Sequence, residues 1–191
     1  MSGGRRPGPS RRRVLRAVAA ALGGLCLRAR AQPPVRQEAV EAAYLHKLPG
    51  FVEWPAQAFA SAASPIVVGV AGDSPVLEEL ARIAKGRLVV GRGVEAHAID
   101  APADVPRELH VLFIGADAAR SARALVEAAR ARHALIVTDL PDGLADGAAV
   151  QFVQVDGRLR FEISLAGARR CGLKLSSQLM GVAWKVMEDG Q

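Results

Sequence analysis

Gly72-Asp73-Ser74-Pro75 is where this 191-residue chain comes nearest to a nucleophile. The segment follows a short β-rich apolar run and precedes a helical one, so Ser74 would stand at a strand-to-helix turn. A serine attacks only when a neighbouring base takes its proton, and in this setting the base would come from a late Asp-x-x-His pair. None of the four histidines has an aspartate three residues earlier, and none lies beyond His133. The G-x-S-x-G elbow is absent as well. Ser74 is therefore read as a helix cap, with Pro75 at the first helical position.

Metal and nucleotide chemistry find no pattern either. His46, His97, His110 and His133 are scattered singly, without His-x-x-His, His-x-x-x-His or Cys-x-x-Cys spacing. Each is read as a solvated or hydrogen-bonded histidine. Gly91 and Gly93 do not complete a dinucleotide fingerprint, and no glycine loop carries a Walker lysine. Asp139, Asp142 and Asp146 gather around the end of an apolar run, where the carboxyl edge of a parallel sheet would offer a ligand site. Asp73, Thr138 and Asp139, all at expected strand ends, form the candidate ligand pocket, although Asp- and Gly-rich loops are also ordinary turns. No catalytic residue, metal ligand or cofactor is expected.

Charge excludes another class. The net charge is +6, but eight of the 25 basic residues precede Gln32 and no acidic residue does. The remainder has 17 basic against 19 acidic residues, a net of −2. A nucleic-acid-binding domain needs a basic face, and this body has no such excess.

The basic residues belong to a leader. A basic stretch to Arg13, an apolar run over 14–27 and the small-x-small pattern Ala29-Arg30-Ala31 describe an export signal, residues 1–31, cleaved before Gln32. The apolar run is shorter than the roughly 20 residues a membrane span needs, so no stable membrane insertion of the mature chain is expected. Arg11-Arg12 followed by Val14-Leu15 suits a twin-arginine signal; an Arg-rich Sec leader is the alternative. Once Cys26 leaves with the leader, Cys171 is alone, either a buried thiol or half of an intermolecular bridge.

Residues 32–191 are expected to form a single domain. Val40, Tyr44, Leu48, Phe51 and Val52 fall on one helical face, with Glu38, Glu41 and Lys47 elsewhere. Pro49-Gly50 interrupts that helix, because proline removes a hydrogen bond and clashes with the carbonyl of Leu45; a kink or a split is expected. Trp54-Pro55 ends it. Apolar runs at 65–71, 87–99, 110–115 and 134–139 alternate with helical patterns at 76–86 and 117–132, which argues a parallel sheet covered on both faces. Asp156-Gly157 between two alternating runs predicts a hairpin over 148–164, with Val150, Phe152, Val155, Leu159, Phe161 and Ile163 facing the core. Short helices are expected at 165–172 and 176–187. The fold class is α/β: three-layer, with a mostly parallel central sheet, a C-terminal antiparallel hairpin and helices on both faces.

Several of these blocks resemble the YfiR-like periplasmic proteins. The first helix is similar to that family's Tyr-Leu-x-x-Phe-x-x-Phe-Val-Glu-Trp-Pro opening, through Tyr44, Leu45, Phe51, Val52, Glu53, Trp54 and Pro55. "IVVGVAGDSP", with Gly72 and Asp73, looks like its first strand and turn, and "LIVTD" like its strand ending in Thr138-Asp139. "RFEIS", with Phe161, Glu162 and Ile163, is similar to its C-terminal block. The resemblance covers about residues 38–184. Leu48-Pro49 departs from the usual Phe-Ala region, Ser164 stands where Asn is usual, and the paired cysteines of some members are missing.

What the resemblance implies is a periplasmic, non-catalytic regulator. It would form a homodimer and bind the periplasmic domain of a membrane diguanylate cyclase or sensor kinase. Holding a cyclase inactive would restrain cyclic-di-GMP synthesis and biofilm formation. The second expectation is a periplasmic small-molecule sensor or solute-binding domain using Asp73, Thr138 and Asp139; an enzyme with Ser74 ranks third.

Overall fold

The computed structural model describes residues 36–188; the expected leader, with Cys26 and the cleavage pattern, lies outside them. Three strands, β2 (Ile66–Ala71), β4 (Leu109–Ile114) and β5 (Leu135–Thr138), are buried at every position. That uniform burial is why they appear in the sequence as continuous apolar runs. They sit inside a seven-stranded sheet. In spatial order it runs β3 (Val94–Ala98), β2, β4, β5, β6 (Val150–Val155), β7 (Arg158–Ser164) and β9 (Lys185–Met187). All neighbouring pairs are parallel except β6 and β7. A separate antiparallel pair joins β1 (Val52–Glu53) to β8 (Lys174–Leu175).

The helices are α1 (Gln37–Lys47), α2 (Ser74–Ala84), α3 (Ala122–Arg130), α4 (Leu165–Arg170) and α5 (Ser177–Val182). From β2 the chain crosses through α2 to β3, towards one edge; from β4 it crosses through α3 to β5, towards the other. Right-handed crossovers running in opposite directions place α2 and α3 on opposite faces. The first helix packs beside α2 and sets Tyr44 on Phe152 and Phe161, at ring distances of 5.7 and 5.5 Å. The three-layer α/β expectation holds.

The hairpin forms as the Asp-Gly pair demands. Asp156 and Gly157 have φ of 50° and 69°, the left-handed values of a type I′ turn. Its register sets Phe152 opposite Phe161 and Val150 opposite Ile163, all buried. The proline also acts as expected: α1 stops at Lys47 and a 3₁₀ turn, Leu48–Phe51, follows.

Five local expectations need correction. The cap of α2 is Asp73, whose Oδ1 accepts the N–H of Val76 at 3.0 Å, not Ser74, which is the first helical residue. The run 87–99 is a strand only over Val94–Ala98; before it the chain folds back in a tight turn. The helix at 117–132 begins as a 3₁₀ segment, Ala116–Ser121, before α3. The last helix stops at Val182: Trp184 donates its N–H to Phe161 O at 2.8 Å, and Lys185–Met187 pair with the outer edge of β7. That edge would otherwise leave main-chain groups without partners. Finally, the buried side of α1 is centred on Ala42 and Leu45, with Leu48 buried in the 3₁₀ turn that follows, while Tyr44 is half-buried. Glu41, expected away from the core, is 2% exposed, because α1 lies between α2 and the hairpin and both flanks are covered.

Candidate functional site

The strand order reverses between β2 and β4, so the crevice beyond their carboxyl ends is the place a doubly wound sheet offers a ligand. Here backbone fills much of it. Gly115 donates its N–H to Ala71 O at 2.8 Å. A Cβ on Gly72 (φ 70°) would lie 2.2 Å from Ala118 N, and one on Gly115 would lie 2.9 Å from the Cβ of Asp73. Both positions therefore require glycine, and their close approach directs Asp73 towards α1.

Glu41 from α1, Asp73 from the β2 exit and Asp139 from the β5 exit converge there. One carboxylate oxygen from each lies within 4.8 Å of the others. Burial pushes the Glu41 carboxyl up to about 7, opposed by the Nε2–H of Gln37 donating to its Oε1 at 2.8 Å and reinforced by Asp139 and Asp73. Burial, with Asp73, raises Asp139 too, and its Oδ1 is a buried atom without a hydrogen-bond partner. Glu41 and Asp139 also line a cleft of about 270 Å³ shared with Gln151, Gln154 and Phe152. Three carboxylates so placed can hold a cation or retain a proton.

Two of the three residues expected at the pocket, Asp73 and Asp139, thus meet. Thr138 does not join them: it is buried, donates to Ile114 O at 2.7 Å and accepts from Leu140 N at 3.0 Å, and so closes the strand end. Asp142 and Asp146 are exposed in the following turn and are not among the three clustered carboxylates. Glu41 was missed by the sequence reading. The one available signal was a glutamate beside an alanine-rich helical face.

The other signature residues serve architecture. Tyr44, Phe161 and Ile163 build the hairpin core, and Glu162 pairs with Gln151. Phe51 O accepts the N–H of Ser176, and Glu53 pairs with Lys174. Trp54 turns the corner before Pro55 with its Nε1–H on Pro49 O at 3.2 Å and its ring edge-on to His110 at 5.5 Å. Ser164 caps a helix: its Oγ accepts the N–H of Gly167 at 3.0 Å. Ser74 is exposed at the start of α2. Cys171 is fully buried, and desolvation pushes its thiol up to about 11, the setting of a buried structural thiol.

Sheet order, crossovers and the crevice define an α/β domain of the doubly wound kind, extended by an antiparallel hairpin. A family model described as DUF4154, YfiR/HmsC-like, matches residues 38–184. The chain belongs to that family. Among the described residues no helix is long and apolar enough to cross a membrane. No curated protein sequence matches the chain.

Among solved structures, a conserved domain protein from Vibrio cholerae O1 biovar El Tor is similar at 11% identity and a TM-score of 0.55, over 80% of this chain and 61% of that one. The ABC domain from Streptococcus pneumonia, solved in complex with L-Trp, is similar at 12% identity and a TM-score of 0.52, over 78% of this chain and 60% of that one. The chain spans about three fifths of each, and at these identities the likeness is one of fold.

Proposed function

We propose that this protein is a non-catalytic periplasmic regulator that binds the periplasmic sensor domain of an inner-membrane signalling protein, a diguanylate cyclase first and a sensor kinase second. The carrying observation is the family match over residues 38–184, nearly the whole length expected after removal of the leader. The surface supports it: Leu88 and Val90, two residues apart on one turn, are large apolar side chains more than half exposed and line one cleft, the kind of surface a partner covers. Binding would hold the cyclase inactive and restrain cyclic-di-GMP synthesis and biofilm formation, with the regulator acting as a homodimer. The test is a pull-down of the mature chain with the periplasmic segments of membrane cyclases and kinases encoded beside it. Retention of one of them is the expected result, and no retained segment overturns the reading.

A second reading has its own observation. The unpartnered Oδ1 of Asp139 beside Asp73 and Glu41 favours a small cationic ligand, which would make the protein a sensor. A ligand that binds only the folded state raises the melting point. A thermal-shift screen of divalent cations, amines and amino acids is expected to give a rise that Asp139→Asn removes; a flat screen overturns it.

A further inference from the structure

The turn after α2 carries two aliphatic side chains that the fold leaves in solvent. Leu88 is 67% exposed and Val90 76%, while Val89 between them is buried. Val89 and Arg92 exchange main-chain hydrogen bonds at 2.8 and 3.0 Å. They close a two-residue turn at Val90 (φ 49°) and Gly91 (φ 77°). Such a turn favours Asn-Gly, and a β-branched residue is among the least tolerant of positive φ. Valine here strains the turn and buries little of itself, so local folding does not account for it. Strain of this kind collects where proteins bind.

This turn leans over the break in the first helix. A Cβ on Gly50 would lie 3.3 Å from Cγ1 of Val89 and 3.5 Å from Cγ2 of Val90. Between the turn and the helix end is a cleft of about 740 Å³, with Phe51 and Leu88 as apolar walls and His46, Lys47 and Arg87 as its ionisable ones. All three are basic side chains. Neither Lys47 nor Arg87 pairs with a carboxylate among the described residues. His46 is buried, and its Nε2 has no hydrogen-bond partner.

We propose that this cleft is the docking surface for the protein partner, and that it takes a segment in which apolar side chains lie beside one or more carboxylates. The proposal rests on the regulator reading above and names the surface through which that regulator works. Apolar contact would supply affinity at the centre, and Lys47 and Arg87 would select an acidic partner at the rim.

The experiment is isothermal titration of the mature chain with the periplasmic segment of the membrane cyclase or kinase encoded beside it. Val90→Asn and the double variant Arg87→Glu/Leu88→Ser are compared with wild type. Val90→Asn gives the turn its preferred pair, so it is expected to raise Tm while weakening binding at least fivefold. The double variant is expected to weaken binding more than tenfold with Tm within about two degrees of wild type. Opposite signs for stability and binding separate a docking role from a structural one. Binding by both variants within twofold of wild type overturns the surface and leaves the regulator reading standing. Dissociation of a wild-type homodimer by the double variant, with partner binding unchanged, assigns the cleft to a second copy and overturns the proposal. If wild type binds no segment, the regulator reading falls and the docking surface with it.

Discussion

The imidazole of His110 stands in for a main-chain acceptor of Val67. The β2–β4 pairing steps from Val67–Leu109 to Val68–Val111 and skips His110. Nδ1 of His110 accepts the N–H of Val67 at 3.1 Å, and its Nε2 lies 2.9 Å from Ala58 O. Only the neutral ring with its proton on Nε2 satisfies both. Phe59 stacks on the ring at 4.2 Å, and the Arg92 guanidinium lies over Phe59 at 3.9 Å.

Acid is expected to loosen this joint. Burial holds His110 below its usual 6.5, so the unfolded chain takes up a proton before the folded one does. The stability it contributes is present above pH 6.5 and is lost as pH falls below that value. Arg92 faces the ring in the same sense, and Glu108 opposes it. His46 is also held low, by burial and then by Arg87 and Lys47, so the contribution of His110 is read by difference. Urea unfolding at pH 7.5 and 5.5 is expected to show wild type losing more stability than His110→Gln. His110→Ala, which orphans the N–H of Val67 and empties the stack, is expected to cost about 2–4 kcal/mol at pH 7.5.

The carboxylate cluster is expected to respond in the opposite direction. The Glu41 carboxyl is raised from 4.5 to about 7, so the folded state keeps a proton that the unfolded state has released. Its favourable contribution is complete below pH 4.5 and disappears as pH rises through 7. The full swing is on the order of 2–3 kcal/mol. Glu41→Gln is expected to remove that dependence and to melt higher than wild type at pH 8, with little difference at pH 4.5. Thermal melts across pH 4.5–8 check this.

Gly72 is expected to accept no side chain. Its positive φ, and the 2.2 Å that would separate Ala118 N from an added methyl group, leave alanine both strained and overpacked. Gly72→Ala is expected to cost about 2–4 kcal/mol in urea unfolding. Gly86→Ala has a similar φ but nothing within 4 Å, so it is expected to cost only about 1 kcal/mol. The difference between the two measures the packing at the switch point.

Much of this protein was determined by local sequence. Strands buried on both faces are apolar at nearly every position, so β2, β4 and β5 declared themselves despite the buried His110 and Thr138. Asp156-Gly157 could adopt the left-handed turn, so the hairpin did too. A proline cannot donate, so the helix broke at Leu48. The tertiary structure decided the rest, because it depended on residues far apart in the chain. Glu41 meets Asp73 and Asp139 only after α1 is clamped between α2 and the hairpin. Lys185–Met187 become a strand only because β7 presents an open edge. His110 becomes a structural acceptor only where two strands fall out of step. Periodicity encodes which face of an element is buried, but partners brought together by packing leave no local pattern.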